Sequence, residues 1–124
     1  MRKEIENWFE QAKSDLAAAR NSLKSKNFDW ACFQSQQAAE KALKACCLQK
    51  FNALKKVHDL LFIGKELDLP ESLLTSCVKL SRIYIETRYP SLDEEIPAKL
   101  FGFNEAETAI NLAEGILQWA EKQL

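Results

Sequence analysis

The chain has 124 residues, 47% of them hydrophobic, and its 17 basic and 18 acidic side chains leave a formal net charge of -1. That length suits a single domain, residues 1–124, which buries roughly two thirds of its unfolded surface without a disulfide or metal to hold it. The near balance of charge gives no long-range field for polyanions, so no clear DNA-binding surface shows in the totals.

Cys32, Cys46, Cys47 and Cys77 have no C-x-x-C spacing and read as small core residues of a protein kept in a reducing compartment. The N-terminus turns amphipathic at once, and no run of about 18–20 apolar residues follows, so a soluble cytoplasmic protein away from the membrane is expected.

Taken in chain order, Ile5, Trp8, Phe9, Ala12, Leu16, Ala19 and Leu23 keep helical spacing and predict a first helix over about residues 2–25. Lys26-Asn27-Phe28-Asp29 is the turn, with Asn27 or Asp29 placed to cap the next helix. The second helix runs to about Lys50. Its alanines at 31, 38, 39, 42 and 45 lie around much of its circumference and place it at the centre, where neighbours approach closely.

A short third helix is expected over His58 to Leu67, with Leu60, Leu61, Ile63 and Leu67 as its apolar side. Pro70 suits the first turn of a fourth helix with the stripe Leu73, Leu74, Cys77, Leu80, Tyr84 and Ile85, and Pro90 ends it near Tyr89. Ser91 to Phe103 reads as a long loop. Asn104 with Glu107 resembles a capping box opening the last helix, whose inner face is Ala106, Ala109, Ile110, Ala113, Ile116, Leu117 and Ala120. The fold class is all-α: an antiparallel up-and-down helical bundle of four long helices plus one short helix.

One stretch breaks the simple pattern. Phe33, Gln36, Glu40, Leu43 and Cys47 step by three and four, so an amide and a carboxylate share a helix face with three apolar residues. Buried polar groups cost stability unless partnered, so the segment points to an internal polar network or a site. Glu40 and Lys44 also form an i,i+4 pair in the favourable order, ordinarily a surface ion pair; Arg82 and Glu86 have the same spacing without the apolar stripe and are expected in solvent.

Arg88 continues the line Cys77, Ser81, Tyr84 towards the core, and a guanidinium there must meet an anion. Either Glu40 or Asp15 supplies it, closing the bundle end, or a ligand phosphate does. Tyr89 either stacks on a base or plugs the core. His58, the only histidine, is either a structural hydrogen-bonder at a helix start or an acid/base near neutral pH. The lone histidine excludes the usual carboxylate-histidine metal centre of a helical bundle, and no phosphate loop or Ser/His/Asp arrangement occurs; no metal or cofactor is expected.

The pair Gln36-Gln37 leading into Ala39-Glu40-Lys41-Ala42-Leu43-Lys44, then His58-Asp59-Leu60, then Arg88-Tyr89-Pro90, resembles the HEPN family, named for higher eukaryotes, prokaryotes and nucleotide binding. The likeness runs from Trp8 to Trp119, although Val57 stands where the family usually has a helix-capping threonine, which leaves Asp59 or the backbone to satisfy the first N–H groups.

The resemblance implies a small binding module that dimerises and pairs with a minimal nucleotidyltransferase in a toxin-antitoxin-like system. Its cleft would take a nucleotide through Arg88, Tyr89, Glu40, Lys44, Gln36, His58 and Arg82. Many HEPN proteins are metal-independent ribonucleases marked by an arginine and, four to six positions on, a histidine. Neither Arg82 nor Arg88 is so followed, so no catalytic residue is assigned. Two alternatives stand beside this reading: a degenerate ribonuclease acting at a dimer cleft, and a purely structural interaction bundle. For the dimer contact, Trp30, Phe101 and Phe103 are the large apolar candidates.

Overall fold

An apolar residue at every third or fourth position makes one face of α1 (Lys3–Lys24) inward: Ile5, Phe9, Ala12, Leu16 and Ala19 are buried. Glu4 and Glu6 in its first turn and Lys24 in its last suit the helix dipole. The computed structural model describes residues 2–88 and 95–124, and among these every regular element is a helix. No described helix is long and apolar enough to cross a membrane.

After a turn in which Lys26 takes a left-handed φ of 64°, α2 (Phe28–Phe51) begins. Asn27 occupies the cap position without a side-chain capping bond, so the expected side-chain cap is not used. Ala31, Ala38, Ala39, Ala42 and Ala45 are all fully buried, which lets α2 touch helices on several sides. Against α1 it pairs Gln34 with Ser22, Lys41 with Asp15 and Lys44 with Trp8, so these two run in opposite directions.

The third helix, α3 (Leu60–Glu66), starts later than His58, because the Asp59 carboxylate accepts from the N–H groups of Leu61 and Phe62 at 3.0 and 3.4 Å and so fixes the first turn. Asp59 thereby does the work left open by Val57. Leu60 N–H donates to Ser81 Oγ at 3.0 Å, tying α3 to α4 (Glu71–Arg88). On α4, Ser76, Cys77 and Leu80 are buried, whereas Ile85, expected in the stripe, is 63% exposed. Ile85 lies seven residues from exposed Val78, two helical turns along the same outward face.

Part of the expected loop is helical: α5 (Pro97–Leu100) is a single turn with Pro97 at its start. Residues 91–94 of that loop lie outside the described residues. The last helix, α6 (Phe103–Gln123), opens one residue before the expected Asn104 cap. Glu105, not Glu107, reaches back, accepting from Gly102 N–H at 2.9 Å. The Phe103 ring meets Phe28 edge-on at 6.3 Å, which fixes that register. Its inner face is the expected one, and it lies alongside α2 in the same direction, with Cys46 Sγ at 3.8 Å from the Ala120 carbonyl and Gln49 at 2.5 Å from that of Gln123.

Candidate functional site: a buried polar cluster opening at His58

On α2 the apolar line carries its two polar members inside. Gln36 is fully buried and Glu40 is 4% exposed. Gln36 Nε2 donates to Glu40 Oε1 at 3.1 Å, and its own carbonyl oxygen accepts from Gln37 at 2.7 Å. Lys44 Nζ donates to Glu40 Oε2 at 2.9 Å. Lys44 was expected at the surface; it is buried with Glu40 because α1 crosses this part of α2 and lays the Trp8 ring 6.0 Å from the ammonium. Among the described residues, no buried side-chain nitrogen or oxygen lacks a hydrogen bond.

One partner of Glu40 reaches water. His58 Nδ1 lies 3.0 and 3.1 Å from the two carboxylate oxygens, while 60% of the imidazole side chain is exposed. A carboxylate paired with an ammonium only accepts, so Nδ1 carries the hydrogen and Nε2 is the outer nitrogen. The Tyr84 ring stacks on the imidazole with centroids 5.1 Å apart and 17° between planes, and Phe33 stacks on Tyr84 at 6.0 Å. Arg88 donates to the Tyr84 hydroxyl at 2.9 Å, and its guanidinium sits 5.1 Å from the Tyr84 ring centroid and 5.9 Å from that of Phe33.

Two hollows flank this ledge. The first, about 480 Å³, is lined by His58, Asp59, Ser81, Arg82, Tyr84 and Ile85. The second, about 380 Å³, is lined by Asp29, Trp30, Phe33, Thr87 and Arg88. Both are of the size that small ligands occupy. A hollow of about 420 Å³ between α1 and α6 carries Glu6, Glu10 and Glu121 against one cation, Lys13, which is paired with Glu10 at 2.8 Å, so its charge disfavours a phosphate.

Of the residues singled out in the sequence, Gln36, Glu40, Lys44 and His58 form one connected cluster. Arg82 borders the hollow beside His58. Arg88 was expected to point into the core but is exposed, because the last turn of α4 overhangs α2 at Phe33, about one turn from Gln36. Asp15 and Glu40, its expected counter-ions, are engaged by Lys41 and Lys44. Tyr89 lies outside the described residues. Phe101 is 7% exposed and belongs to the core, whereas Trp30 and Phe103 are 57% and 49% exposed.

Sequence reasoning passed over Tyr84 and Phe33 as parts of a site. The signal for Tyr84 was its place four residues before Arg88, where a phenol and a guanidinium meet on one helix face.

A family model described as HEPN domain matches residues 5–123. The crystal structure of TT1696 from Thermus thermophilus superposes with a TM-score of 0.93 at 36% identity, over 99% of this chain and 100% of that one. ST0689, described as an archaeal HEPN homologue, gives 0.84 at 33% identity, covering 99% and 98% of the two chains. A HEPN domain protein from Thermotoga maritima gives 0.74 at 32% identity, covering 94% and 95%. Among curated proteins, none matches. The chain belongs to the HEPN domain family.

Proposed function

We propose that this HEPN-domain protein is a nucleotide-binding interaction module whose ligand lies along the ledge of His58, Tyr84 and Phe33. One observation carries the reading: a stacked aromatic row is bordered by Arg82 and Arg88, with an imidazole held at its end by a buried carboxylate. A base stacks on such rings, and guanidinium forks match phosphate oxygens. Glu40, Lys44 and Gln36 act from beneath, by holding His58; Tyr89 follows Arg88 in the chain and is assigned to base packing.

In its biological setting the module pairs with a minimal nucleotidyltransferase in a toxin-antitoxin-like system in the cytoplasm, and forms a homodimer through a surface that includes Trp30 and Phe103. Titration calorimetry of ATP against wild type, Arg88→Ala and Arg82→Ala tests the ligand. A charge-assisted contact contributes about 1.5–3 kcal/mol, so each loss should weaken binding by roughly tenfold or more. Equal affinity in all three proteins removes the arginines from the site. Co-purification with a small nucleotidyltransferase encoded beside it, and the mass of the isolated protein in solution, test the partner and the dimer.

A second reading has an observation of its own. His58 enters the same hollow as Arg82 from a different part of the chain, so an acid/base group and a phosphate-binding cation meet without the sequential motif. Incubation with RNA decides it: no cleavage above that of an Arg88→Ala control ends the ribonuclease reading, and cleavage that His58→Ala does not reduce removes His58 from it.

A further inference from the structure

We propose that His58 is a proton-coupled anion ligand of this cleft and Glu40 its positioning residue: the imidazole takes up a proton at Nε2 as a phosphoryl group seats beside Arg82. The proposal rests on the nucleotide reading and deepens it.

The charge pattern around the imidazole carries the argument. From α2, Glu40 faces Nδ1 at 3.0 Å, but its charge is already met by Lys44 at 2.9 Å. From α4, the Tyr84 ring covers one face of the imidazole, with Arg88 on the Tyr84 hydroxyl, and Arg82 lines the hollow. From its own segment, Asp59 also lines the hollow, with its carboxylate committed to the amides of Leu61 and Phe62. Lys55 is directed to Glu66, 3.9 Å away.

With neutral His58 the trio Glu40, Lys44 and His58 sums to zero charge. A phosphoryl group entering the hollow lined by His58 and Arg82 brings negative charge beside the ring, and that charge favours a second proton on it. Glu40 decides where the proton goes. By fixing Nδ1–H it leaves the lone pair on Nε2 of a ring that is 60% exposed and lines the same hollow as Ser81 and Arg82. The proton comes from buffer water, and no covalent bond to the ligand forms.

Since His58 is the only histidine, its two nitrogen signals need no assignment by comparison. Nitrogen-15 spectra of the free protein at pH 8 should show the Nδ1–H tautomer; the Nε2–H tautomer overturns the positioning role. Glu40→Ala should release the ring to the other tautomer, and Glu40→Gln, which keeps an acceptor oxygen, should restore Nδ1–H. A Glu40→Gln that fails to restore it counts against the role.

For the coupling, ATP is titrated near pH 7 in two buffers of different ionisation enthalpy, into wild type and into His58→Gln. The ligand's own phosphate contributes equally to both proteins, so the difference belongs to His58. A surplus of a few tenths of a proton per ATP in wild type is expected. Equal proton counts with intact ATP binding refute the coupling while leaving the nucleotide reading standing. Absence of ATP binding to wild type ends both. His58 is mostly exposed, so His58→Gln should fold.

Discussion

Replacing Lys44 with methionine keeps the apolar stem against Trp8 but removes the ammonium from Glu40. The two side chains are only 8% and 5% exposed, so the carboxylate would stay in the interior with Gln36 and His58 as its remaining partners. Removing one member of a buried pair costs about 3–5 kcal/mol, and those two surviving hydrogen bonds put the expected loss near the lower end, about 3 kcal/mol. At roughly 3–5 °C per kcal/mol for a domain of this size, the melting temperature should fall by about 9–15 °C. Adding Glu40→Gln removes the stranded charge, so the double variant should recover most of that loss. Urea and thermal unfolding of wild type, both single variants and the double variant give the coupling energy directly. A Lys44→Met protein within about 0.5 kcal/mol of wild type would refute the reasoning, because that is the worth of an exposed helix pair.

Other consequences are simpler. Lys26 holds a left-handed φ of 64°, so Lys26→Gly should raise the urea midpoint by the equivalent of about 0.5–1 kcal/mol; no gain would mean the turn relaxes without cost. A Cβ on Gly64 would sit 3.1 Å from Leu74 and 3.4 Å from Cys77 and Leu69, so the larger Gly64→Val should part α3 from α4 at a cost of about 1–3 kcal/mol, read from chemical unfolding. Burial pushes the thiols of Cys32, Cys46 and Cys77 up to about 12. The native chain therefore keeps protons that the unfolded chain sheds near pH 8.5, and stability should decline as pH rises from about 8.5 to 12. Iodoacetamide at pH 8 should label these three cysteines only at the rate of unfolding; fast labelling of the native protein would contradict their burial.

The family and the helical class were legible because they rest on local pattern. The stripes Ile5 to Ala19 and Ala106 to Ala120 keep helical spacing in the sequence and turn inward in the structure. The buried polarity of Gln36 and Glu40 was legible for the same reason, since a residue on an apolar line goes where the line goes.

What local pattern does not carry is which neighbour covers a given turn. An i,i+4 pair reads the same on an open helix as on a covered one, and only the crossing of α1 over α2 puts Lys44 inside beside Glu40. Periodicity likewise carries the line of α4 on to Arg88, but in the structure the side chain is exposed and its guanidinium lies against the Phe33 and Tyr84 rings. The meeting of His58, Tyr84 and Arg82 in one hollow depends on contacts between residues far apart in the chain. Composition and spacing specify each helix, because helix formation is governed by neighbours within a few residues. The site is a product of how the helices lean on one another, which is decided by packing across the whole core.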